Sequence, residues 1–136
     1  MPHPITPLTA AQTYDLRHRV LWPDQPRDFV IVPGDDAALH FGVLDNGQVI
    51  GIVSMFDTDD GVQLRKLATD PAFQGRGIGS ALVAHVVQTA RISGTHRIFL
   101  SGRHSALDFY KSFGFAAYGD PYLVENVPCQ KMEIRF

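Results

Sequence analysis

The chain has 136 residues, 45% of them hydrophobic, which fits one globular domain spanning residues 1–136. Its net charge of −2 provides no basic surface for nucleic acid or an anionic membrane, and its single cysteine, Cys129, cannot form an internal disulfide. No apolar run approaches the roughly 20 residues of a membrane span, and residues 1–6 lack a signal-peptide pattern, so we expect a cytoplasmic protein. We assign no metal site.

The N-terminal part of the chain predicts one helix and little other regular structure. Residues 3–8 are proline-rich and suit at most an edge strand. Thr9 can cap a helix running to about Leu21, with Thr13, Leu16 and Val20 facing inward and Arg17, His18 and Arg19 partly outward. Residues 22–36 are rich in proline, aspartate and aromatic side chains, and such a long irregular connection is usually functional or mobile.

Three consecutive strands are predicted next. Residues 39–44 and 48–56 alternate apolar and polar side chains, and Asp45-Asn46-Gly47 between them indicates a hairpin with a type I′ turn. Residues 57–61 turn into a third strand at residues 62–68. Its buried candidates are Val62, Leu64 and either Leu67 or Ala68.

The second half of the chain alternates helices with strands. From Ile78 the apolar period becomes helical, and Gly94 ends this helix before a buried strand at residues 97–101, parallel to the earlier one. Ser105 caps a further helix with Ala106, Phe109, Tyr110 and Phe113 on its inward side, and Gly114 supplies the left-handed residue after it. Residues 131–136 add a last strand, which could mediate contacts of a homodimer. The predicted fold class is mixed α/β (α+β), a mostly antiparallel sheet flanked by helices.

The functional interpretation starts at the beginning of the helix at Ile78, where the chain reads Gln74-Gly75-Arg76-Gly77-Ile78-Gly79. The first turn of a helix has unpaired N–H groups and a partial positive charge. Glycines let phosphate oxygens come close to those groups, and Arg76 adds a cation at the rim, so this stretch favours an anion such as a diphosphate. A glycine-rich turn that only reverses the chain is the alternative.

Two known phosphate loops do not fit this stretch. A P-loop requires Gly-Lys followed by Ser or Thr, whereas Gly79-Ser80 has no lysine. A dinucleotide fingerprint requires a glycine where Ser80 stands, a strand directly before the loop, and an acidic residue about 20 positions later, which the region near Arg97 lacks. The remaining pattern is Gln-x-x-Gly-x-Gly.

Together with two other stretches, this loop resembles the GNAT superfamily of N-acetyltransferases. The matching stretches are residues 65–71 (RKLATDP), 74–79 (QGRGIG) and 106–115 (ALDFYKSFGF). The resemblance covers residues 38–118 well. Phe113-Gly114-Phe115 and Glu125-Asn126-Val127-Pro128 are in addition similar to the ElaA-type branch.

The resemblance implies that acetyl-CoA (coenzyme A) lies between splayed central parallel strands, with its pantetheine arm against backbone groups of Leu67 and Thr69. The cofactor-binding residues that it implies are Leu67, Ala68, Thr69, Gln74, Gly75, Arg76, Gly77, Ile78, Gly79, Ser80, Arg103 and Tyr110. Arg103 stands where the family often has asparagine and could contact the cofactor phosphate instead.

Tyr110 is the predicted catalytic residue. In the family, the tyrosine at this position lies near the cofactor sulfur. A phenol with a pKa near 10 can donate a hydrogen bond or a proton to a thiolate whose conjugate acid has a pKa near 8.5. A buried core tyrosine is the alternative.

The predicted substrate-binding residues are Arg17, Trp22, Phe29, His40 and Glu125. In the family, the segment at residues 22–36 usually forms one wall of the acceptor pocket, and the resemblance implies substrate contact by Arg17, Trp22 and Phe29. Trp22 and Phe29 could equally pack the loop onto the core. No Asp or Glu occupies residues 62–67, where many members place the base that deprotonates the amine. His40, Glu125 and Asp36 are the remaining candidates. A lone histidine such as His40 is more often structural, and water could carry the proton.

The predicted reaction is direct transfer of an acetyl group from acetyl-CoA to a primary amine of a small molecule or peptide. A covalent acyl-cysteine route is disfavoured, because Cys129 lies in the tail with no sign of an activating histidine. A non-catalytic acyl-CoA-binding module and a nucleotide-phosphate binder using the same loop are the alternatives. No pattern in the sequence identifies the acceptor.

Overall fold

The computed structural model describes residues 3–136, and seven strands within them form one sheet in the order β1-β2-β3-β4-β5-β7-β6. The strands are β1 (Thr6–Leu8), β2 (Leu39–Asp45), β3 (Gln48–Thr58), β4 (Gly61–Thr69), β5 (Arg97–Arg103), β6 (Ala116–Val124) and β7 (Val127–Arg135). Among neighbours in this sheet only β4 and β5 are parallel. The mixed, mostly antiparallel sheet predicted from the sequence is therefore confirmed.

Helices pack on this sheet. The first helical run combines a 3₁₀ turn (Ala11–Thr13), an α turn, α1 (Tyr14–Leu16), and a π turn (Arg17–Leu21). The other α-helices are α2 (Ile78–Ile92) and α3 (Leu107–Lys111). Short 3₁₀ turns lie at Arg27–Val30, Asp35–Ala37, Pro71–Phe73 and His104–Ala106. Across residues 3–136, no helix has both the length and the apolar character to cross a bilayer.

The larger core lies between α2, α3 and the centre of the sheet. The helical spacing that marks α2 in the sequence places Ile78, Leu82, Val83, Val86 and Ala90 on one buried face. They pack with the buried sides of β4 and β5, which contribute Val62, Leu64, Ile98 and Leu100. A smaller core joins Leu16 of α1 to Ile52 and Ala68. The two cores hold the first helical run and α2 around β4.

Backbone angles confirm the predicted turns. Asn46 and Gly47 have φ of 49° and 80°, which is the type I′ geometry expected between β2 and β3. Gly94 and Gly114 are left-handed, as predicted at the ends of their helices. Ser105 is not the cap of α3, because the residue at the cap position is Ala106, which has no side-chain hydrogen bond to offer. The helix begins from a 3₁₀ turn instead.

The C-terminal region forms a hairpin rather than a single strand at residues 131–136. β7 begins at Val127 and pairs with β5 on one side and β6 on the other. Since both of its backbone edges are occupied, β7 has no free edge to offer a second copy of the chain. Contact between copies through the edge of this strand therefore has no support in the fold.

β4 and β5 pair only near their beginnings. Val62 lies opposite Ile98 and Gln63 opposite Phe99, and no pairing follows, although β4 continues to Thr69. β4 also has a bulge, because two residues, Lys66 and Leu67, separate partners that on β3 are separated by one. The strands diverge beyond these pairs, which confirms the predicted splay of the central parallel strands.

Candidate functional site

A cleft of about 940 Å³ lies where β4 and β5 diverge. Its walls come from β4, the glycine-rich loop, the first turn of α2, β5, α3 and the end of the first helical run. Most of the residues predicted to bind cofactor or substrate line it, namely Trp22, Leu67, Ala68, Thr69, Gln74, Gly75, Gly77, Ile78, Gly79, Ser80, Arg103 and Tyr110. Residues far apart in the sequence therefore meet in one cavity.

The glycine-rich loop has the conformation and the open space that a diphosphate requires. Gly75 and Gly77 have φ of +79° and +80°, and a Cβ atom at either would meet no atom within 4 Å. Gly77 is the N-cap of α2 and provides no side chain for the N–H groups of its first turn. Ile78, Gly79 and Ser80, the first residues of that turn, line the cleft. The loop thus fits an anionic group at the helix N-terminus.

Contacts on its outer side hold the loop in place. The Asp70 carboxylate accepts hydrogen bonds from the Ala72 N–H, at 2.9 Å, and from Arg19 Nη2, at 2.8 Å. Gln74 Nε2 donates to the Thr69 carbonyl at 3.2 Å. The Arg76 guanidinium lies 5.1 Å from the centre of the Phe73 ring and is not part of the cleft wall. Contact between Arg76 and a cofactor phosphate stays a prediction.

Tyr110 lies in the cleft with its ring packed into the core. The residue is 8% exposed, and its ring meets the edges of Phe109 and Phe115 at centroid distances of 5.2 and 6.0 Å. Burial raises the pKa of the phenol to about 12. The hydroxyl has no hydrogen-bond partner among residues 3–136 and does not belong to the enclosed polar atoms. It is therefore free to donate to a ligand in the cleft.

The charged side chains that line the cleft are all cations: Arg65, Lys66 and Arg103. Lys66 stands at the bulge of β4 with φ of +60°. Its pKa is lowered to about 8, first by burial and then by repulsion from Arg65, Arg17 and Arg103. No Asp or Glu lines the cleft among the residues that the structure describes.

Arg103 closes one end of the cleft rather than reaching toward the glycine-rich loop. Its Nη2 atom donates a hydrogen bond to the Leu21 carbonyl, and its guanidinium lies 4.9 Å from the centre of the Trp22 ring. These contacts link β5 to the end of the π turn. The predicted contact of Arg103 with a cofactor phosphate has no support in this geometry.

The structure places Arg17 and His40 in the interior, not at the cleft surface. Arg17 is fully buried and forms a two-pronged ion pair with Asp35, in which both N–O distances are 2.9 Å. It also donates to the Ser54 hydroxyl and the Val30 carbonyl, both at 3.0 Å. A guanidinium can be buried only with such partners, which explains why the side chain predicted to face partly outward turns inward.

His40 belongs to the same buried network. Its Nδ1 atom is 2.7 Å from the Ser54 hydroxyl, and its Nε2 atom is 2.8 Å from the Asp35 carbonyl oxygen. Burial on its own would raise the pKa of Asp35, but hydrogen bonds from Arg17 and the Val32 N–H lower it below the ordinary value. The network fixes the irregular segment before β2, so the geometry gives Arg17 and His40 a structural role instead of direct substrate contact.

The other predicted acceptor residues lie near the cleft or outside it. Trp22 lines the cleft, and Phe29 packs against Trp22 edge to face at 5.1 Å without lining it. Glu125 is exposed in the turn between β6 and β7, and Asp36 is exposed in the 3₁₀ turn at Asp35–Ala37. None of the three candidate bases lines the cleft.

Several residues of the cleft were not predicted from the sequence, among them Lys66, Ser101, Tyr122 and Cys129. Ser101 and Tyr122 share a hydrogen bond between their hydroxyls. Cys129, expected in a tail, is buried in β7 opposite Arg103. No local pattern in the sequence marks these positions, because the pairing of β7 with both β5 and β6 brings Ser101, Tyr122 and Cys129 together. Within residues 3–136, no group of His, Cys, Asp or Glu is arranged to hold a metal ion.

Comparison with known proteins agrees with this architecture. Residues 8–115 match the model of the acetyltransferase (GNAT) family. The uncharacterized N-acetyltransferase YitI of Bacillus subtilis is 26% identical over 129 residues, covering 88% of this chain and 87% of that protein. Escherichia coli ElaA has a TM-score of 0.81 at 19% identity, with 96% of this chain and 98% of that chain covered.

A GNAT family acetyltransferase from Elizabethkingia anophelis, solved with acetyl-CoA bound, has a TM-score of 0.76 at 18% identity, with 98% and 97% of the two chains covered. The matched family segment contains the splayed β4 and β5, the glycine-rich loop and Tyr110, which are the features that form the cleft. The chain therefore belongs to the acetyltransferase (GNAT) family and is an acyl-CoA N-acyltransferase whose cofactor is acetyl-CoA.

Proposed function

We propose that the protein transfers an acetyl group from acetyl-CoA directly to a primary amine of a small molecule or peptide. The observation that carries the proposal is the single cleft between β4 and β5, which joins the glycine-rich loop to Tyr110. Such a cleft suits a linear cofactor with a phosphate group at one end and a reactive group at the other. The remaining cleft wall, near Trp22 and Arg103, is left for the amine.

The chain's own groups supply binding along the whole length of the cleft. The N–H groups at the start of α2 would hold the diphosphate, since Gly75 and Gly77 leave room for its approach. Residues 64–69 of β4 have no partner on β5, so their backbone groups on that side would pair with the amides of the pantetheine arm. When bound, acetyl-CoA supplies an activated acetyl thioester.

Tyr110 would act at the reacting end as a hydrogen-bond donor. Its pKa of about 12 exceeds the ordinary thiol pKa of about 8.5, so full proton transfer from the phenol would be uphill by roughly 5 kcal/mol. A hydrogen bond to a group that gains negative charge has no such cost and strengthens in a buried site. The hydroxyl therefore holds its proton and stabilises developing charge.

The amine would be made nucleophilic by its surroundings rather than by a carboxylate. Arg65, Lys66 and Arg103 carry positive charge in the cleft, and a nearby cation lowers the pKa of an ammonium group. The neutral amine is therefore favoured, and its proton can leave through water. Most of the rate enhancement would come from holding the amine and the thioester carbon in contact.

A thiol-release assay with acetyl-CoA tests the proposal across amines, polyamines, amino acids and peptides, with mass spectrometry of the products. We expect free thiol in stoichiometric amounts with an N-acetylated product that gains one acetyl group. The lack of a carboxylate in the cleft favours one competing function, a non-catalytic acyl-CoA-binding module. Such a module would bind acetyl-CoA, measured by calorimetry, and release no thiol with any amine.

A further inference from the structure

We propose that the acceptor carries an anionic group, a carboxylate or a phosphate, bound by Arg65, Lys66 and Arg103 at the acyl end of the cleft. This inference rests on the proposed function, because it specifies which amine that reaction uses. The charge distribution within the cleft carries it.

The cations of the cleft lack counter-ions. The chain as a whole has a net charge of −2, yet the charged residues lining the cleft are three cations. Among residues 3–136, none of the three forms an ion pair with an Asp or Glu. The acidic side chain that acts on Lys66, Asp35, is already engaged by Arg17. The cleft therefore retains an excess of positive charge.

The anionic cofactor does not account for these cations. The glycine-rich loop, where the diphosphate would bind, follows the end of β4 at Thr69. Arg65 pairs with Ser54 and Thr69 with Gly51, so Arg65 lies roughly 10 Å from Thr69 at the usual rise per residue, and Lys66 lies at the bulge between them. Arg103 is held beside Leu21 and Trp22 at the acceptor wall. The excess charge thus lies away from the phosphate site, on the side from which an amine would enter.

Arg65 and Lys66 are placed so that an anion would stabilise them. The Arg65 guanidinium lies 5.5 Å from the centre of the Phe56 ring, and burial lowers its pKa. Lys66 is repelled by the two arginines of the cleft. A carboxylate or phosphate between these groups would replace repulsion with charge-assisted hydrogen bonds. A polyamine would add more positive charge to the same cleft and would be rejected.

Two matched pairs of acceptors test the inference in the thiol-release assay with saturating acetyl-CoA. Alanine is compared with alaninamide, and glucosamine 6-phosphate with glucosamine, so that each pair differs in one anionic group. We expect the anionic member of at least one pair to have a KM at least tenfold lower than its neutral partner. The pair that shows the difference separates carboxylate from phosphate recognition. Equal KM values in both pairs, or a preference for spermidine, would overturn the inference.

Variants tie the preference to the cleft. Arg65→Met and Lys66→Met each remove one cation at similar volume, and we expect either to raise KM for the anionic acceptor roughly 10- to 100-fold. The ratio of KM for the neutral acceptor to KM for the anionic acceptor should fall by the same factor, whatever change either variant makes in the rates with both acceptors. Arg91→Met is the control, since it removes an equal charge at the exposed end of α2, where Arg91 lies over the Phe136 ring. Equal effects of Arg65→Met and Arg91→Met on KM for the anionic acceptor would contradict the inference. If Arg65→Met does not fold, the same comparison is made with Lys66→Met.

A binding experiment separates failure of the inference from failure of the proposed function. If no amine leads to thiol release, turnover is refuted. Binding at the acceptor site can still be measured by calorimetry on the protein saturated with coenzyme A. N-acetylalanine is compared with N-acetylalaninamide, and N-acetylglucosamine 6-phosphate with N-acetylglucosamine. Tighter binding of an anionic member by tenfold or more, lost in Lys66→Met, supports the anion site. Equal binding within both pairs overturns it.

Discussion

Replacing Tyr110 with phenylalanine tests how the proposed reaction is helped by the protein. The hydroxyl makes no hydrogen bond to another described residue, so Tyr110→Phe removes no internal hydrogen bond, and we expect Tm to change by about 2 °C or less. A hydrogen bond to a charged group contributes about 1.5–3 kcal/mol, so losing it from the transition state alone should lower kcat roughly 10- to 100-fold.

Initial rates of thiol release, measured at saturating amine over a range of acetyl-CoA concentrations, separate kcat from KM. KM for acetyl-CoA should change by less than about threefold, because most of the binding contacts that we propose for it lie on β4 and the loop. Since the phenol has a pKa of about 12, Tyr110 should also produce no falling limb in the wild-type pH profile below about pH 11. Tyr14→Phe, away from the cleft, is the control. An unchanged kcat, or a rise in KM alone, would refute the role given to Tyr110.

Three further predictions concern the loop and the buried network. Gly77→Asp should weaken coenzyme A binding, measured by calorimetry, at least tenfold more than Gly77→Asn. Both side chains occupy the same left-handed position, but only the aspartate repels phosphate, so equal affinities would contradict the loop assignment. Asp35→Asn leaves the buried Arg17 without a counter-ion, so we expect a loss of about 3–5 kcal/mol, or a fall in Tm of about 10–15 °C by differential scanning calorimetry. The pKa of Asp35 is lowered in the fold, so its contribution to stability is fully present above the ordinary pKa of 3.8 and is lost as the pH falls through the pKa of the folded state. The Tm difference between wild type and Asp35→Asn should therefore shrink below about pH 4. A difference that stays constant to pH 2 would show that the carboxylate is not stabilised in the fold.

Local patterns in the sequence were enough to predict much of the fold and the cofactor end of the cleft. The change from strand to helical period located α2 at its first residue, Ile78, and Asn46-Gly47 gave the turn between β2 and β3. The glycine-rich loop indicated an anion site from its own composition and the helix that follows it, whereas the coenzyme was predicted from the resemblance to the GNAT superfamily. Each of these features depends on contacts between residues close in the chain.

The acceptor end depends on pairings between distant residues and was predicted poorly. Arg17 was expected to face partly outward, but its partner Asp35 lies in a separate segment, and a π turn begins at Arg17. The insertion of β7 beside β5 brings Cys129 to the cleft, although nothing near it in the sequence signals this. Lys66 was read as part of a regular strand. Its location in the cleft depends on a register shift that a period-two pattern does not reveal.

The bulge of β4 also determines what a single insertion or deletion would do to this protein. Val62 and Leu64 belong to the core beneath α2, whereas Ala68 packs with Leu16 in the core of the opposite face, although Ala68 follows them by six and four positions and an even offset keeps residues of a regular strand on one face. The extra residue at the bulge shifts the alternation of side chains between the two faces of β4. Deleting Lys66 would remove the bulge and give an evenly alternating strand that keeps Ala68 opposite Ile52 and every later position on its present side, so we expect the sheet to form while the cleft loses a cation. Homologues of different length in this strand should therefore gain or lose a single residue at the bulge, whereas one residue lost elsewhere in β4 would exchange the two faces.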